Sequence, residues 1–264
     1  MKKLFKLGVI GCGNMANAII SGAKGILSNE KIVVFDTDSQ KANDFATKFN
    51  AEVGESNSFV ASNSEYVLIA VKPQSFSEIS NELLGAEYII SIMAGVKTST
   101  ILSKVQSLRG MVRIMPNAPA MVGKGMSALS FVNSNESDVD FVSTIFNSIG
   151  KTLLLDEDKL DAVTAISGSG PAYVYYFIKS MIDAGIKVGL TEEESSLLTF
   201  QTFAGATEFA QNSTLSLEKL IDMDCSKGGT TIQAINSFKN DDTATIINRA
   251  VQKCFDRSKE LSGE

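Results

Sequence analysis

The stretch Lys6-Leu-Gly-Val-Ile-Gly-Cys-Gly-Asn-Met-Ala16 constrains this chain more than any other part of it. An apolar run over 7–10 reads as a buried strand. It passes directly into Gly11-Cys12-Gly13-Asn14-Met15-Ala16, a glycine fingerprint that opens a helix. That order has a physical purpose. The first glycine allows the sharp turn from strand to helix, the second lets a pyrophosphate approach the backbone, and a small residue at the third position lets the helix pack close to the strand. The free N–H groups and partial positive charge of the helix start then face the phosphates. The expectation is a dinucleotide-binding turn rather than a plain structural one.

The rest of the first half repeats the strand-then-helix pattern. Apolar strands are expected at 31–35, 66–71 and 88–92, with a last one at 151–155. The segments 104–108, 109–115 and 127–132 are further strand candidates, and 15–23 and 41–49 read as helices. Apolar strands alternating with helices predict an α/β fold, a doubly wound parallel sheet covered on both faces. After about residue 156 the texture changes. The segments 160–166, 172–186, 192–211, 217–223, 231–238 and 243–261 all read as helices, and Thr191 with Glu194 forms a capping box before one of them. The chain therefore divides into a dinucleotide-binding part at 1–156 and an all-helical part at 157–264. The helix over 172–186 is apolar nearly all round, which fits either an ordinary core or an intertwined homodimer.

Composition removes several function classes. The 264 residues carry a net charge of −6 with no basic stripe, so nucleic acid is not an expected partner. No apolar run approaches the length of a membrane span. The lysine-rich start with Cys12 has a superficial likeness to a lipoprotein leader, but Lys6 cuts the apolar stretch too short for one. Three irregularly spaced cysteines read as reduced thiols of a cytoplasmic protein. There is no histidine, which excludes Ser-His-Asp and Cys-His catalysis and histidine metal ligands, and no metal site is expected.

Four other segments have the composition of sites. Asp36 follows the second strand, where a carboxylate accepts hydrogen bonds from ribose hydroxyls and repels a 2′-phosphate, favouring NADH over NADPH. Ala70-Val71-Lys72-Pro73-Gln74 ends the third apolar strand, where ligands of open parallel sheets sit. Ile166-Ser167-Gly168-Ser169-Gly170-Pro171-Ala172-Tyr173 places hydroxyls and glycines ahead of a helix, and Ser226-Lys227-Gly228-Gly229-Thr230-Thr231 does the same further on. Helix starts of this kind bind carboxylates, so the pair suggests a small anionic substrate. All four prolines (Pro73, Pro116, Pro119 and Pro171) fall in these segments or in the turn Met115-Pro-Asn-Ala-Pro119, where stiff backbone preorganises a pocket.

Taken together, these motifs resemble pyrroline-5-carboxylate reductase, in order and over nearly the whole chain. The most specific pieces are Asp161-Ala-Val-Thr-Ala-Ile-Ser-Gly-Ser-Gly-Pro-Ala-Tyr173 and Gly228-Gly-Thr-Thr-Ile232. The resemblance implies NADPH or NADH reduction of Δ1-pyrroline-5-carboxylate, a cyclic imino acid, to L-proline. It also implies a Rossmann domain followed by a helical dimerisation domain, with the site shared between them, and homodimers that often assemble into decamers. By position it implies that Ile10, Gly11, Cys12, Gly13, Asn14, Met15, Asn57, Ala70, Val71, Lys72, Pro73, Ile92, Met93 and Ala94 line the cofactor. Ser167 to Ala172, with Gly229, Thr230 and Thr231, would hold the substrate. The chain departs from the family at Lys227, usually proline, and at Asp224, usually apolar.

This chemistry accounts for the missing histidine. A protonated imine already accepts hydride and yields an amine, so no strong general acid is required. Thr231 is the candidate catalytic residue, its hydroxyl orienting the ring nitrogen, while most of the acceleration comes from positioning. Two alternatives remain from the residues: a β-hydroxyacid dehydrogenase using Lys159, Lys179 or Lys187 as proton donor, and a non-catalytic NAD(H)-binding regulator.

Overall fold

The structure, a computed structural model, describes residues 3–263, so the first two residues of the leader-like start lie outside it. The chain divides into two compact units. One runs up to Ser169 and takes up the chain again from Cys254; the other is Gly170–Lys253.

The first unit is built on a single eight-stranded sheet. Its elements in order are β1 (Phe5–Ile10), α1 (Asn14–Gly22), β2 (Ile32–Phe35), α2 (Ser39–Phe49), β3 (Glu52–Val53), α3 (Asn57–Asn63), β4 (Ser64–Ile69), α4 (Phe76–Ile79), β5 (Tyr88–Ser91), α5 (Thr98–Lys104), β6 (Gly110–Met115), β7 (Gly125–Val132), α6 (Glu136–Asn147), β8 (Gly150–Leu154) and α7 (Leu160–Val163). The strand order is β3-β2-β1-β4-β5-β6-β7-β8. The chain leaves β1 for β2 on one side and returns to β4 on the other, which is the Rossmann switch point. Alternation along the strands separates two cores. Tyr66, Leu68, Tyr88 and Ile90 enter the one beneath α1, α2 and α6; Val67, Ile69 and Ile89 enter the other, with Val60 and Ile101.

Two expectations need correction. The sheet is not wholly parallel, because β6 and β7 pair antiparallel, Met111 opposite Val132 and Met115 opposite Ala128. The stretch 116–124 between them is too short for a crossover helix, so only a direct return is possible. The segment 104–108 is not a strand: α5 ends at Lys104, and sheet pairing begins at Gly110 opposite Tyr88. Val105 is buried by packing beneath the sheet rather than by pairing within it. Finally, β3, α3, α4, α5 and α6 were not anticipated.

The second unit is helical: α8 (Gly170–Lys187), α9 (Glu192–Asn212), α10 (Leu217–Asp224), α11 (Thr230–Asn240) and the first part of α12 (Thr243–Leu261), which continues into the first unit. The capping box at α9 forms as expected: Thr191 Oγ1 accepts from Glu194 N, and the Glu194 carboxylate accepts from Thr191 N at 2.8 Å. The helices α8 and α9 lie against each other, with Ser195 Oγ donating to the Ile182 carbonyl at 2.8 Å. Yet no residue of α8, α10 or α11 is buried, and Tyr176 is 72% and Leu197 71% exposed. An ordinary core does not absorb the apolar faces of these helices within one chain. Exposed apolar area of this extent marks an association surface. No helix of the described residues is long and apolar enough to cross a membrane.

Candidate active site

A cleft of about 350 Å³ opens at the carboxyl ends of β1, β2 and β4. Its walls include Ile10, Gly11, Gly13, Asp36, Asn57, Ala70, Val71 and Lys72, all expected from sequence. Phe35, Thr37, Lys41, Ser75, Glu78 and Ile79 complete it. Ser75 and Glu78 were missed although Pro73 marks their turn: it starts the short helical turn Pro73–Ser75 that leads into α4. Cys12, Asn14, Met15, Pro73, Ile92, Met93 and Ala94 do not line the cleft. Cys12 and Met93 point into the two cores, 4% and 1% exposed. Ile92 to Ala94 follow β5, one strand further along the sheet.

The turn from β1 to α1 is shaped by its glycines. Gly11 has φ +95°, and a Cβ there would lie 2.9 Å from the Ala70 carbonyl carbon, so only glycine fits without strain. Gly13 is the opposite case. Its φ of −74° suits any residue, and a Cβ there would meet nothing within 4 Å. The space beside it is open, and no side chain caps the α1 N-terminus. The side-chain oxygen of Asn57, a residue 5% exposed in the cleft wall, has no hydrogen-bond donor among the described residues. An open phosphate-sized approach, uncapped N–H groups and a buried unpaired acceptor are features that a bound dinucleotide would use. Asp36 completes the turn, its Oδ2 accepting from Cys12 N at 2.8 Å. Burial, reinforced by the Asp36 charge, pushes the Cys12 thiol up to about 12, so it stays neutral and unreactive.

The first unit also fixes the start of the Ser-Gly-Ser-Gly segment. Residues Thr164–Gly168 form a π turn, closed by Ser169 N donating to the Thr164 carbonyl at 2.8 Å. Such turns recur at functional sites because they re-aim the following residues. Asn117, between the two prolines of the 115–119 turn, holds the segment. Its Nδ2 donates to Ser167 O at 3.2 Å and lies 3.3 Å from Ser167 Oγ, while its Oδ1 accepts from Met126 N at 2.8 Å. Sequence reasoning saw a stiff polar turn there but not this side-chain clamp; an asparagine framed by prolines was the signal. Asn117→Ala is expected to raise KM for the substrate about tenfold, from the loss of two polar contacts, with cofactor affinity unchanged. Steady-state kinetics with calorimetric cofactor titration would check this, and an unchanged KM would remove the clamp from the site.

In the second unit Pro171 lies in the first turn of α8, where its missing N–H costs nothing. Thr230 and Thr231 open α11 after Gly229, and no side chain caps that helix. Both threonines are exposed. Lys227 and Asp224 are exposed as well. Of the lysines weighed as proton donors, Lys159 pairs with Asp156 at 3.5 Å and Lys179 with Asp183 at 2.7 Å on the surface.

Comparison with known proteins decides the family. Residues 157–261 match the family described as pyrroline-5-carboxylate reductase dimerisation, and 6–95 match that of NADP oxidoreductase, coenzyme F420-dependent. The chain is 36% identical to a pyrroline-5-carboxylate reductase of Haemophilus influenzae, covering 96% of each protein. It belongs to the pyrroline-5-carboxylate reductase family. Another family member, from Pseudomonas aeruginosa, is 34% identical over 97% of each protein. The solved structure of a pyrroline-5-carboxylate reductase from Coxiella burnetii superposes with a TM-score of 0.89 at 30% identity, covering 98% of each chain. That of Plasmodium falciparum, with NADP bound, superposes with a TM-score of 0.87 at 31% identity, covering 99% of this chain and 100% of the other. The motifs of this reductase family therefore lie in a matching fold along almost the full length.

Proposed function

We propose that this chain reduces Δ1-pyrroline-5-carboxylate to L-proline with NADPH or NADH. The observation that carries the reading is a full-length match to reductases of that name, in a chain whose switch-point cleft has the open approach at Gly13 that a pyrophosphate needs. Residues 1–156 are assigned to the dinucleotide and 157–264 to substrate and dimerisation. The bound cofactor supplies the hydride.

The chain's own residues bind and orient. Ile10, Gly11, Gly13, Asp36, Asn57 and Ala70 to Lys72, which line the cleft, are assigned to the cofactor together with the backbone N–H groups of Asn14 and Met15 at the uncapped start of α1. Ser167 to Ala172 and Gly229 to Thr231 are assigned to the substrate carboxylate and ring. The uncapped start of α11 offers N–H donors to a carboxylate, with the helix dipole aligned to favour the negative charge. The Thr231 hydroxyl accepts from the protonated ring nitrogen and fixes the face presented for reduction. Thr231→Ala is expected to lower kcat/KM by on the order of tenfold to a hundredfold, the scale of one polar contact made in the transition state. Kinetics indistinguishable from the parent chain would remove Thr231 from the mechanism.

The dimerisation family matched by 157–261 and the uncovered apolar faces of α8 to α11 mean that the chain self-associates. We assign the unit to a homodimer, with decamers as the further assembly, in the cytoplasm. The test of function is loss of nicotinamide absorbance with pyrroline-5-carboxylate as substrate, and proline identified as product. Folded protein that binds either cofactor but turns over no imine would refute it.

A further inference from the structure

A carboxylate stands at the rim of the cleft, at the end of β2. Asp36 ends the β2 side of the cleft and lines it together with Gly13 and Lys41. Its carboxylate is held from two directions, Oδ2 by the Cys12 N–H at 2.8 Å and Oδ1 by the Asp38 N–H at 2.9 Å. Turning the side chain away would strand the amide of Cys12, a residue 4% exposed, without its acceptor. Each oxygen keeps a second lone pair, so the anchored carboxylate can still accept from a hydroxyl.

The other charges on the cleft do not offset Asp36. Lys41 is drawn to Asp38 at 3.3 Å, and Lys72 is balanced in sign by Glu78. No arginine is among the described residues that line it. A relative at 31% identity is solved with NADP bound, so the shared fold by itself does not exclude NADPH.

We propose that Asp36 makes this chain selective for NADH, accepting a ribose with free hydroxyls and rejecting one that carries a 2′-phosphate. The proposal rests on the dinucleotide reading given above. Two neutral hydroxyls donate to the anchored carboxylate in charge-assisted bonds. A phosphate in the same place meets a like charge that cannot rotate aside, and discrimination by a built-in repulsion follows.

The test is calorimetric titration of the intact chain with NADH and with NADPH, without substrate, so that binding is read apart from turnover. NADH is expected to bind about tenfold or more tightly than NADPH, the size of one like-charge contact partly screened by water. Asp36→Asn keeps an acceptor for Cys12 N–H but removes the charge, and is expected to close most of that gap by strengthening NADPH. A second measurement needs no variant: 5′-AMP should displace bound NADH at lower concentration than adenosine 2′,5′-bisphosphate, which differs from it only by the 2′-phosphate. NADPH binding as tightly as NADH, or adenosine 2′,5′-bisphosphate displacing as well as 5′-AMP, would overturn the proposal while leaving the dinucleotide site intact. An unchanged ratio in folded Asp36→Asn would also overturn it. Binding of neither cofactor would overturn the underlying reading and the proposal with it.

Discussion

Gly13→Val is expected to abolish useful cofactor binding, by a hundredfold or more in affinity on an order-of-magnitude scale, while the protein folds almost normally. The two halves of that statement come from the same geometry. Gly13 sits in extended backbone at φ −74°, which valine adopts without strain, and its Cβ would project into open space. The stability cost is therefore only that of a poorer N-cap for α1, about 1 kcal/mol. The open space is nevertheless the one beside the uncapped α1 N-terminus, and a branched side chain there excludes the phosphates. Gly11→Ala should behave in the opposite way. At φ +95°, with the Ala70 backbone 2.9 Å from the new carbon, it strains the turn itself, so stability falls together with binding. Thermal melts paired with calorimetric titration of NADH and NADPH separate the two. Undiminished affinity in Gly13→Val would mean that the pyrophosphate does not pass over this turn.

This contrast also shows what the sequence could and could not disclose. The fingerprint Gly11-Cys-Gly13 announced the turn, because tight turns and phosphate access both demand glycine. It also assigned the turn to the first glycine and the phosphate approach to the second; what it could not supply was the contact that makes Gly11 obligatory, the Ala70 backbone brought alongside by the pairing of β4 with β1. The buried strands were legible because strands covered on both faces are continuously apolar. The helix α6 was not, although Asn135 and Asp138 form a capping box, because aspartate at its third position is a less familiar signal than the Thr191–Glu194 box of α9. The seven-residue α3, polar at both ends, holds too few turns for periodicity to show. The antiparallel β7 was legible as a strand but not in direction, since apolar runs carry no polarity. At the site, strand-end positions such as Asp36 and Ala70 followed from topology. Asn117 did not, because its role arises from side-chain contacts between distant segments, and Ser75 and Glu78 did not, because a short helical turn after Pro73 brings them to the cleft.

The largest stability effect is expected at a residue with no part in the chemistry. Asp138 has no exposed surface. It accepts from Arg109 Nη1 at 2.7 and 2.8 Å, from the Tyr66 hydroxyl at 2.7 Å and from Asn135 N at 3.1 Å. The Arg109 guanidinium in turn lies 4.9 Å from the Tyr88 ring centroid. One carboxylate thus ties α6 to β4 and to the chain entering β6. Asp138→Ala removes the acceptor from a cation, a phenol and a helix cap together. Loss of a buried charge partner costs about 3–5 kcal/mol, and because the Arg109 side chain is 36% exposed and can regain water, the lower end is expected. The pH dependence has a definite sign. Burial pushes the Asp138 carboxyl up, but Arg109, Tyr66 and the Asn135 amide outweigh it and hold the group below the usual carboxylate range. A carboxyl whose value is lower folded than unfolded contributes its full stability above the unfolded value, about 3.9, and loses it as pH falls through the folded one. Denaturant titrations of the parent chain and of Asp138→Asn should therefore differ most above about pH 5, begin to approach one another only below about pH 4, and meet once pH has fallen through the lowered folded value. A difference that stayed constant across that range would mean that the charge of Asp138 contributes nothing, and that its place in the fold is only that of a cap.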